Sequence, residues 1–360
     1  MEVFPVYEPM TIEARSGAYQ VSFSEDLIGK DLLAISQNSF ILVDAKVAGM
    51  YAKPLAGVLA NPNTIIIEAI EKNKSIENII PIIRLLIDRK IRRNTILVAI
   101  GGGIIQDITC FIASILLRGV EWQFFPTTLL SQSDSCIGSK SSINVDSFKN
   151  ILGTFNPPSK VCICPKFLDS LDIKELQSGI GEILKVHAIA GKNTFDAITK
   201  DFDRLIPDRQ ILLSYIRSSL LIKQKYIELD EFDKGVRNIF NYGHSFGHAI
   251  ETATNYAVPH GIAVSMGMDM ANHIAAMRNL LPDEHCNRMS IVLRKNYDDF
   301  KNATIPMDKF LEALMKDKKN SSTELRLIFA VGSEAEITRV SIPPDELFIK
   351  QCKQFFDKLK

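Results

Sequence analysis

The sequence predicts a two-domain protein, with an α/β domain built on a parallel sheet and a mostly α-helical domain that carries a candidate metal site. Short apolar strands alternate with helical segments up to about residue 166, and helical periodicity dominates after it. Three of the six histidines lie within the 17 positions from His244 to His260, and neutral imidazole is the commonest metal ligand. A chain of 360 residues is also long for one hydrophobic core, so two domains are expected.

The first domain opens with a predicted β-hairpin, because residues 11–25 alternate in strand fashion around Ser16-Gly17. The predicted strands that follow are 39–44, 64–68, 94–100 and 122–125, and the predicted helices are 75–90 and a second from the glycines at 101–103 to about Leu117. Strands that alternate with helices favour a doubly wound, Rossmann-like parallel sheet.

The second domain is predicted to be mostly helical. The predicted helices are 174–200, 208–228, 243–257, 261–280 and 307–317, and the one predicted strand is 325–329. We expect the boundary between residues 160 and 170, after the turn Asn156-Pro157-Pro158. This gives an α/β domain over residues 1–165 and a helical domain for metal and substrate over residues 166–360.

Composition favours a soluble globular protein, since 46% of the residues are apolar, 23% are charged and the formal net charge is zero. A neutral chain has no bulk field for nucleic acid or an anionic membrane, so neither partner is expected. No apolar run of about 20 residues predicts a membrane span, and the N-terminus does not resemble a signal peptide. Six cysteines without a Cys-x-x-Cys pattern predict reduced thiols and a cytoplasmic location.

Three consecutive glycines, Gly101-Gly102-Gly103, follow the predicted strand 94–100. Glycines at such a turn let backbone N–H groups approach a phosphate, and the N-terminus of the next helix favours an anion. Position 106 is Gln, so the segment lacks the dinucleotide pattern G-x-G-x-x-G. The turn therefore indicates nucleotide binding, with a plain tight turn as the alternative.

The histidine cluster indicates a metal or catalytic site. On a helix, His244 and His248 lie four residues apart and share a face, as two ligands of one metal would. No Glu follows His244, so a protease-like general base is absent. His260 opens the next predicted helix, and Glu182, embedded among small and apolar residues, is a candidate third ligand. The alternative is that one or two histidines only make hydrogen bonds within the core.

Five cations stand near these motifs: Lys140, Lys149, Lys185, Lys223 and Arg237. Each alone has the ordinary interpretation of a solvated surface group. Together they would bind phosphate and carboxylate groups, for which Arg offers a bidentate fork.

Several motifs in one order resemble the 3-dehydroquinate synthases and the wider sugar-phosphate cyclases. The resemblance runs from the opening hairpin to near residue 330. It is carried by Gly101-Gly-Gly-Ile-Ile-Gln-Asp107, Pro126-Thr-Thr-Leu-Leu-Ser-Gln-Ser-Asp134, Lys149-Asn150, Gly181-Glu-Ile-Leu-Lys185 and Asn241-Tyr-Gly-His-Ser-Phe-Gly-His-Ala-Ile-Glu251.

The resemblance implies a residue set for each role. Glu182, His244 and His260 match the ligands of a catalytic divalent metal, zinc or cobalt, and His248 matches a substrate-side histidine. The implied NAD-binding positions are Asp44, Glu71, Lys74, Gly102, Gly103, Asp107, Thr127 and Thr128. The implied substrate and catalytic positions are Arg118, Asp134, Lys140, Lys149, Asn150, Lys185, Lys223, Arg237 and Asn241, joined by one lysine of Asp317-Lys318-Lys319.

The implied reaction converts 3-deoxy-arabino-heptulosonate 7-phosphate to 3-dehydroquinate in aromatic amino acid biosynthesis. NAD oxidises a ring hydroxyl, phosphate leaves by β-elimination, NADH returns the hydride, and an aldol step closes the carbocycle. The resemblance also implies a homodimer. Three alternatives stay open: a cyclase of another sugar phosphate (the amino analogue, sedoheptulose 7-phosphate or glucose 6-phosphate), a metal-dependent polyol dehydrogenase, and a non-catalytic paralogue.

Three positions depart from the pattern. The family usually has Gly at the position of Gln106, Gly-Gly-Lys at Gly138-Ser139-Lys140, and His-Gly-Glu at His260-Gly261-Ile262. Ser139 is expected to change the backbone if that position requires positive φ. Ile262 is expected to remove a carboxylate partner of the metal shell or proton network. These changes put the exact substrate in question.

Overall fold

The computed structural model describes residues 7–15, 17–26, 39–146, 148–316 and 323–359. The chain divides into two compact units. The N-terminal unit comprises Glu2–Leu171 and Gln224–Asp233, and the C-terminal unit comprises Asp172–Lys223 and Lys234–Lys360. The expected lysine of Asp317-Lys318-Lys319 lies outside the described residues.

The N-terminal unit contains the strands and helices of an α/β domain. In chain order they are β1 (Met10–Ile12), β2 (Tyr19–Phe23), β3 (Ser39–Asp44), α1 (Ala45–Met50), α2 (Ala56–Leu59), β4 (Thr64–Ile67), α3 (Ile76–Asp88), β5 (Ile96–Gly101), α4 (Gly103–Ile115), β6 (Glu121–Pro126), β7 (Lys140–Val145), β8 (Phe148–Phe155) and β9 (Lys160–Ile163). A π-helical turn, Ser131–Ser135, lies between β6 and β7.

Seven of these strands form one sheet in the order β1-β2-β9-β6-β5-β3-β4. All neighbours pair in parallel except β1 with β2, which form the predicted antiparallel hairpin. Strands β3 and β5 are buried along nearly their whole length, as expected of a parallel sheet covered on both faces. The carboxyl ends of β3, β5 and β6 lie side by side, which is where ligands bind in open α/β sheets.

The sequence predicted the hairpin, the four strands β3 to β6 and the two long helices, and the structure confirms them. It missed the separate β7–β8 ribbon and β9. Strand β8 is exposed on both faces, so it carries no alternating pattern, and β9 has only four residues.

The C-terminal unit is mostly helical, as predicted. Its elements are α5 (Ile173–Ile189), α6 (Lys192–Asp201), α7 (Arg209–Leu229, of which the residues from Gln224 onward belong to the N-terminal unit), α8 (His244–Ala253), α9 (His260–Met277), α10 (Asp283–Tyr297), α11 (Met307–Met315), β10 (Leu325–Val331), β11 (Glu336–Ile342) and α12 (Glu346–Leu359).

Two predictions about this unit were incomplete. The segment predicted as one helix, 174–200, is broken by Gly191, whose φ of 111° no helix accommodates. The predicted strand 325–329 is real and pairs with β11, which the sequence analysis missed along with α10 and α12.

Helix α9 forms the centre of the C-terminal unit, since every residue from Gly261 to Ala275 is buried. Most of its own side chains are small or apolar all around the helix, as expected of a helix packed within a core. Helix α5 packs beside it and begins with a capping box, in which Asp172 and Glu175 each accept from the other's backbone N–H. Within the described ranges, no helix is long and apolar enough to cross a membrane.

Helix α5 also buries His187, which is bonded through Nδ1 to the Ile183 carbonyl at 2.8 Å and through Nε2 to Ser218 Oγ at 3.0 Å. Burial lowers the pKa of His187 from its ordinary 6.5 to about 4. Between those values the unfolded chain binds a proton that the folded chain does not, so the free energy of unfolding falls as the pH drops from 6.5 to 4.

We therefore expect His187→Gln to flatten the acid side of the stability profile. The pKa difference corresponds to about 3 kcal/mol between pH 6.5 and 4. Glutamine does not titrate there, and its amide can still donate a hydrogen bond. Urea unfolding across this pH range measures the effect, and a slope equal to that of the wild type would contradict the assignment.

Candidate functional site

Two helices of the C-terminal unit cross with no side chain between their backbones. A Cβ on Gly181 of α5 would lie 2.0 Å from the Gly261 carbonyl oxygen, and a Cβ on Gly261 of α9 would lie 1.8 Å from the Ser178 carbonyl oxygen. No real Cβ approaches so closely, so both positions require glycine. Glu182 follows the first glycine and His260 precedes the second, and the crossing therefore brings their side chains together.

A second close contact positions His244 at the start of α8. A Cβ on Gly267 of α9 would lie 2.1 Å from the Gly243 carbonyl oxygen. Gly243 itself has a φ of 76°, which turns the chain into the helix that His244 begins. The histidine on α8 is thus held against α9, which begins at His260.

One carboxylate oxygen faces both histidines. Glu182 Oε1 lies 3.2 Å from His260 Nε2 and 3.7 Å from His244 Nε2. Donors bound at about 2.1 Å to a tetrahedral ion lie about 3.4 Å apart, so these separations fit a divalent metal. Glu182 is 2% exposed, and a buried carboxylate requires cationic or metal partners.

A second donor set shares two of these residues. Ring nitrogens of His244, His248 and His260 all lie within 4.8 Å of one another. His248 is exposed, whereas Glu182 is buried beneath the two shared histidines. We carry Glu182, His244 and His260 forward as the candidate ligands because Glu182 Oε1 lies 3.7 and 3.2 Å from the two histidines, which matches one coordination sphere.

Hydrogen bonds fix the orientation of both shared histidines. Glu251 Oε2 lies 3.1 Å from His260 Nδ1, and the Tyr242 carbonyl lies 3.3 Å from His244 Nδ1. A proton on each Nδ1 leaves the Nε2 lone pair pointing at the candidate metal position. Glu251 ends the motif Asn241–Glu251, and nothing in the sequence pattern indicates this role.

Glu251 also matters for position 262, where this chain has Ile and the family usually has Glu. Ile262 is fully buried, and the expected consequence was the loss of a carboxylate partner near the metal. The structure supplies such a partner for His260 from α8 instead. The replacement at 262 therefore leaves His260 with the carboxylate that orients it.

The charges on the two histidines differ. Burial opposes protonation of His260, but hydrogen bonds to Glu182 and Glu251 outweigh it and raise the pKa of His260 to about 10. Burial, reinforced by the nearby Lys185, holds the pKa of His244 well below its ordinary range. A proton on His260 Nε2 therefore supplies the positive charge beside Glu182 and Glu251 when no metal is bound, and a metal would take the place of that proton.

Three further cations of the C-terminal unit are buried, which argues against the interpretation of solvated surface groups. Lys185, Lys223 and Arg237 are 3%, 6% and 7% exposed. Lys185 Nζ lies 2.5 Å from Glu182 Oε2 and 5.7 Å from the Phe240 ring centre. Burial of a lysine or arginine is costly without an anionic partner.

The segment that precedes α8 carries Arg237 and Asn241 in one 3-10 turn, Val236–Asn241. Asn241 Nδ2 donates to the Asn238 carbonyl at 2.9 Å. On α8 itself, the ring of His248 lies 5.3 Å from that of His244. Arg237 and Asn241 therefore lie in the turn that precedes His244, and His248 lies beside His244 on α8.

The glycine turn of the N-terminal unit lies at the carboxyl end of β5. Gly102 is the N-cap of α4, and a Cβ on it would lie 2.9 Å from Thr128 Cγ2. The Thr127 N–H donates to the Gly101 carbonyl at 2.9 Å, which joins the ends of β5 and β6. The first N–H groups of α4 are thus available to an anion such as a pyrophosphate.

Asp44 ends β3, the strand next to β5 in the sheet. Its side chain accepts from Lys46 N at 3.0 Å and caps α1. Burial raises the pKa of Asp44. A carboxylate at this edge, one strand from a glycine turn, suits the ribose hydroxyls of a dinucleotide.

A hydrogen-bonded network connects the next predicted residues. Lys74 Nζ lies 3.1 Å from Asp107 Oδ2, 2.9 Å from Asn150 Oδ1 and 3.8 Å from Glu71 Oε1. Burial raises the pKa of Asp107, although Lys74 and the Ser142 N–H oppose the shift. The structure thus brings together Glu71, Lys74, Asp107 and Asn150, the first three of which are predicted NAD-binding positions.

Lys149 and Lys140 lie at the two ends of the β7–β8 ribbon. Lys149 Nζ is 3.9 Å from Glu71 Oε1, and both side chains are more than one-third exposed. Lys140 pairs with Asp233, a residue that the sequence analysis did not single out. The signal for Asp233 is the short acidic run before Arg237, which resembles ordinary surface charge.

Two other positions bear on the predictions. Gly138, with a φ of 109°, takes the left-handed conformation, and Ser139 is not among the residues with positive φ. The condition under which Ser139 would change the backbone is therefore not met. Arg118 is exposed and lies beyond the C-terminal end of α4, whereas Gly102, Gly103 and Asp107 lie at its N-terminal end. A helix of 13 residues separates them by about 20 Å.

Family models match most of the chain. The model described as 3-dehydroquinate synthase N-terminal matches residues 64–178, and the model described as 3-dehydroquinate synthase C-terminal matches residues 179–320. A 3-dehydroquinate synthase from Dictyoglomus turgidum is 34% identical over 343 residues, covering 94% of this chain and 95% of the relative. One from Helicobacter pylori is 32% identical over 319 residues, covering 88% and 91%.

Solved structures share the fold. A 2-epi-5-epi-valiolone synthase from Streptomyces hygroscopicus, with NAD+ and Zn2+ bound, superposes with a TM-score of 0.83 at 25% identity, covering 95% of this chain and 97% of that one. A 2-deoxy-scyllo-inosose synthase gives 0.82 at 23% identity, covering 96% and 99%. An iron-containing alcohol dehydrogenase gives 0.62 at 15%, covering 95% and 97%. The last two similarities concern the fold alone.

The helix crossing gives a direct prediction. Gly261→Ala should lower the free energy of unfolding by about 3 kcal/mol, because the added methyl group must displace the Ser178 backbone. Gly49→Ala is the matched control, since nothing lies within 4 Å of the new Cβ on α1. Urea denaturation measures both. If the two variants have equal stability, the close crossing is not required.

Proposed function

The chain belongs to the 3-dehydroquinate synthase family, whose models match residues 64–178 and 179–320, and we propose that it is an NAD- and metal-dependent sugar-phosphate cyclase. Its proposed substrate is 3-deoxy-arabino-heptulosonate 7-phosphate, and its proposed products are 3-dehydroquinate and phosphate. This reaction belongs to the shikimate pathway of aromatic amino acid biosynthesis. Relatives named 3-dehydroquinate synthase at 32–34% identity support this choice of substrate.

The single observation that carries the proposal is the convergence of Glu182, His244 and His260 at donor separations of 3.2 and 3.7 Å. These residues would hold zinc or cobalt. A divalent ion at this position supplies Lewis-acid polarisation of hydroxyl and ketone oxygens. The protein orients its own donors through Glu251 and the Tyr242 carbonyl.

The N-terminal unit would hold NAD. Gly102, Gly103 and the first turn of α4 would bind the pyrophosphate, and Asp44 would accept hydrogen bonds from ribose hydroxyls. The further positions proposed for NAD are Glu71, Lys74, Asp107, Thr127 and Thr128. The nicotinamide supplies reversible oxidation of one substrate hydroxyl, which acidifies the neighbouring C–H and permits β-elimination of phosphate.

The remaining proposed site residues neutralise and orient an anionic substrate. Buried Lys185, Lys223 and Arg237 would compensate carboxylate and phosphate charge and the developing enolate. His248, exposed and beside His244, would transfer protons. Asn241 and the N-terminal-unit residues Asp134, Lys140, Lys149 and Asn150 complete the proposed set.

Two alternatives remain as outcomes of the test. The structural neighbours at TM-scores of 0.82 and 0.83 are cyclases named for other products. The neighbour at 0.62 is an alcohol dehydrogenase. A cyclase regenerates its NAD in each turnover, whereas a dehydrogenase accumulates NADH in proportion to product.

The test is phosphate release from 3-deoxy-arabino-heptulosonate 7-phosphate with cobalt or zinc and a trace of NAD. We expect many equivalents of phosphate per NAD, 3-dehydroquinate by NMR and no net NADH. NADH formed in proportion to product would favour the dehydrogenase. Faster release by about a hundredfold from another sugar phosphate would change the assigned substrate.

We also propose that the protein is a cytoplasmic homodimer. No disulfide joins the six cysteines, all of which lie in the described part of the chain, and this supports a reducing compartment. Strand β8 exposes Phe148, Leu152 and Phe155 on a two-stranded ribbon, and exposed apolar edges of this kind are usually covered. Arg118 lies about 20 Å along α4 from Gly102, Gly103 and Asp107, so it would serve the partner copy. A monomeric mass in analytical ultracentrifugation, or secretion of the protein, would contradict this arrangement.

A further inference from the structure

Gln106 joins helix α4 to the π-helical turn Ser131–Ser135 by a reciprocal pair of hydrogen bonds. Its Nε2 donates to the Ser135 carbonyl at 2.6 Å, and Ser135 Oγ donates to Gln106 Oε1 at 2.7 Å. Gln106 is 6% exposed. A planar amide that is satisfied on both its donor and its acceptor side, away from water, fixes the distance and the angle between two elements.

The turn that Gln106 holds is an unusual one. Its Cys136 N–H donates to the Ser131 carbonyl at 2.9 Å, five residues back. Such π-helical turns are rare and occur often at functional sites. Asp134, a residue proposed for the substrate site, lies inside this turn and is 8% exposed. The placement of its carboxylate therefore depends on what anchors the turn.

The other end of the turn is anchored separately. Thr128 Oγ1 and Ser131 Oγ lie 2.8 Å apart, and Thr128 packs against Gly102 of the glycine turn. Gln106 then fixes the far end, at Ser135. Both sets of contacts connect the π-helical turn to the start of α4. The same part of α4 carries Asp107, which accepts a hydrogen bond from Lys74.

We infer that Gln106 is a positioning residue, which acts through Ser135 to hold Asp134 at a fixed place relative to the glycine turn. The inference rests on the proposed function, in which the glycine turn binds NAD and Asp134 binds the sugar phosphate. Loss of the two hydrogen bonds between Gln106 and Ser135 would leave α4 folded, but it would release the carboxyl end of the π-helical turn. Substrate affinity would fall, while cofactor affinity and the chemical step would change little.

The first test does not depend on catalysis. Amide hydrogen exchange of residues 131–136, followed by mass spectrometry, should rise about tenfold in Gln106→Met, which keeps the side-chain volume but loses both bonds. Gln210→Met is the matched control, because Gln210 is exposed on α7. Unchanged exchange in the 131–136 segment would overturn the inference.

The second test separates positioning from a merely structural role. In Gln106→Met, KM for the sugar phosphate should rise about five- to tenfold, while kcat and the Kd of NADH change less than about twofold. Ser135→Ala removes only one of the two bonds, so its KM should rise less. The double variant should have the same KM as Gln106→Met, because that substitution alone already removes the acceptor of the Ser135 hydroxyl.

Additive effects in the double variant, an unchanged KM, or an NADH Kd that rises as much as KM would each contradict the positioning role. A wild-type enzyme that releases no phosphate from 3-deoxy-arabino-heptulosonate 7-phosphate would contradict the proposed function instead. The kinetic series would then be repeated with the sugar phosphate that the wild type does convert, and the exchange measurement would stand unchanged.

Discussion

The candidate metal centre depends on a crossing of two helices that only glycine permits. Where α5 meets α9, each backbone occupies the space of the other's missing Cβ, with Gly181 and Gly261 in direct contact. The flanking Glu182 and His260 therefore converge without any loop to position them. The same device, Gly267 against Gly243, holds the start of α8 and His244 in place. Rigid helices built this way hold donors more accurately than loops would.

In the N-terminal unit, polar contacts fix the positions of the candidate site residues. Parallel pairing places the ends of β3, β5 and β6 along one edge, and the edge is then fixed by side chains rather than by tight helix packing. Lys74 links Asp107 with Asn150, and Gln106 links α4 with the turn that carries Asp134. Networks of this kind define one arrangement only when every member is satisfied, which makes them sensitive to a single substitution.

The sequence predicted the periodic elements and proposed the residues of the candidate site, but it did not show the contacts between elements. Strands β3 and β5 can be predicted from apolar runs and the long helices from apolar periodicity. The histidine cluster can be recognised from the spacing of three histidines. The role of Glu251 could not be seen, because its bond to His260 depends on the crossing angle of two helices. The pairing of Lys140 with Asp233 joins residues 93 positions apart. Whether position 139 requires positive φ could not be read from the sequence either, and the structure gives the positive φ to Gly138.

The most direct measurement is the zinc affinity of two variants, Glu182→Gln and His248→Gln, by competition with a chromophoric chelator. If the helix crossing builds the metal centre from Glu182, His244 and His260, the first variant should lose at least about a hundredfold in affinity, because a ligand is removed. The second should stay within a few-fold of the wild type. A large loss in His248→Gln with Glu182→Gln unaffected would show that the three histidines bind the metal, and the crossing would then have another purpose.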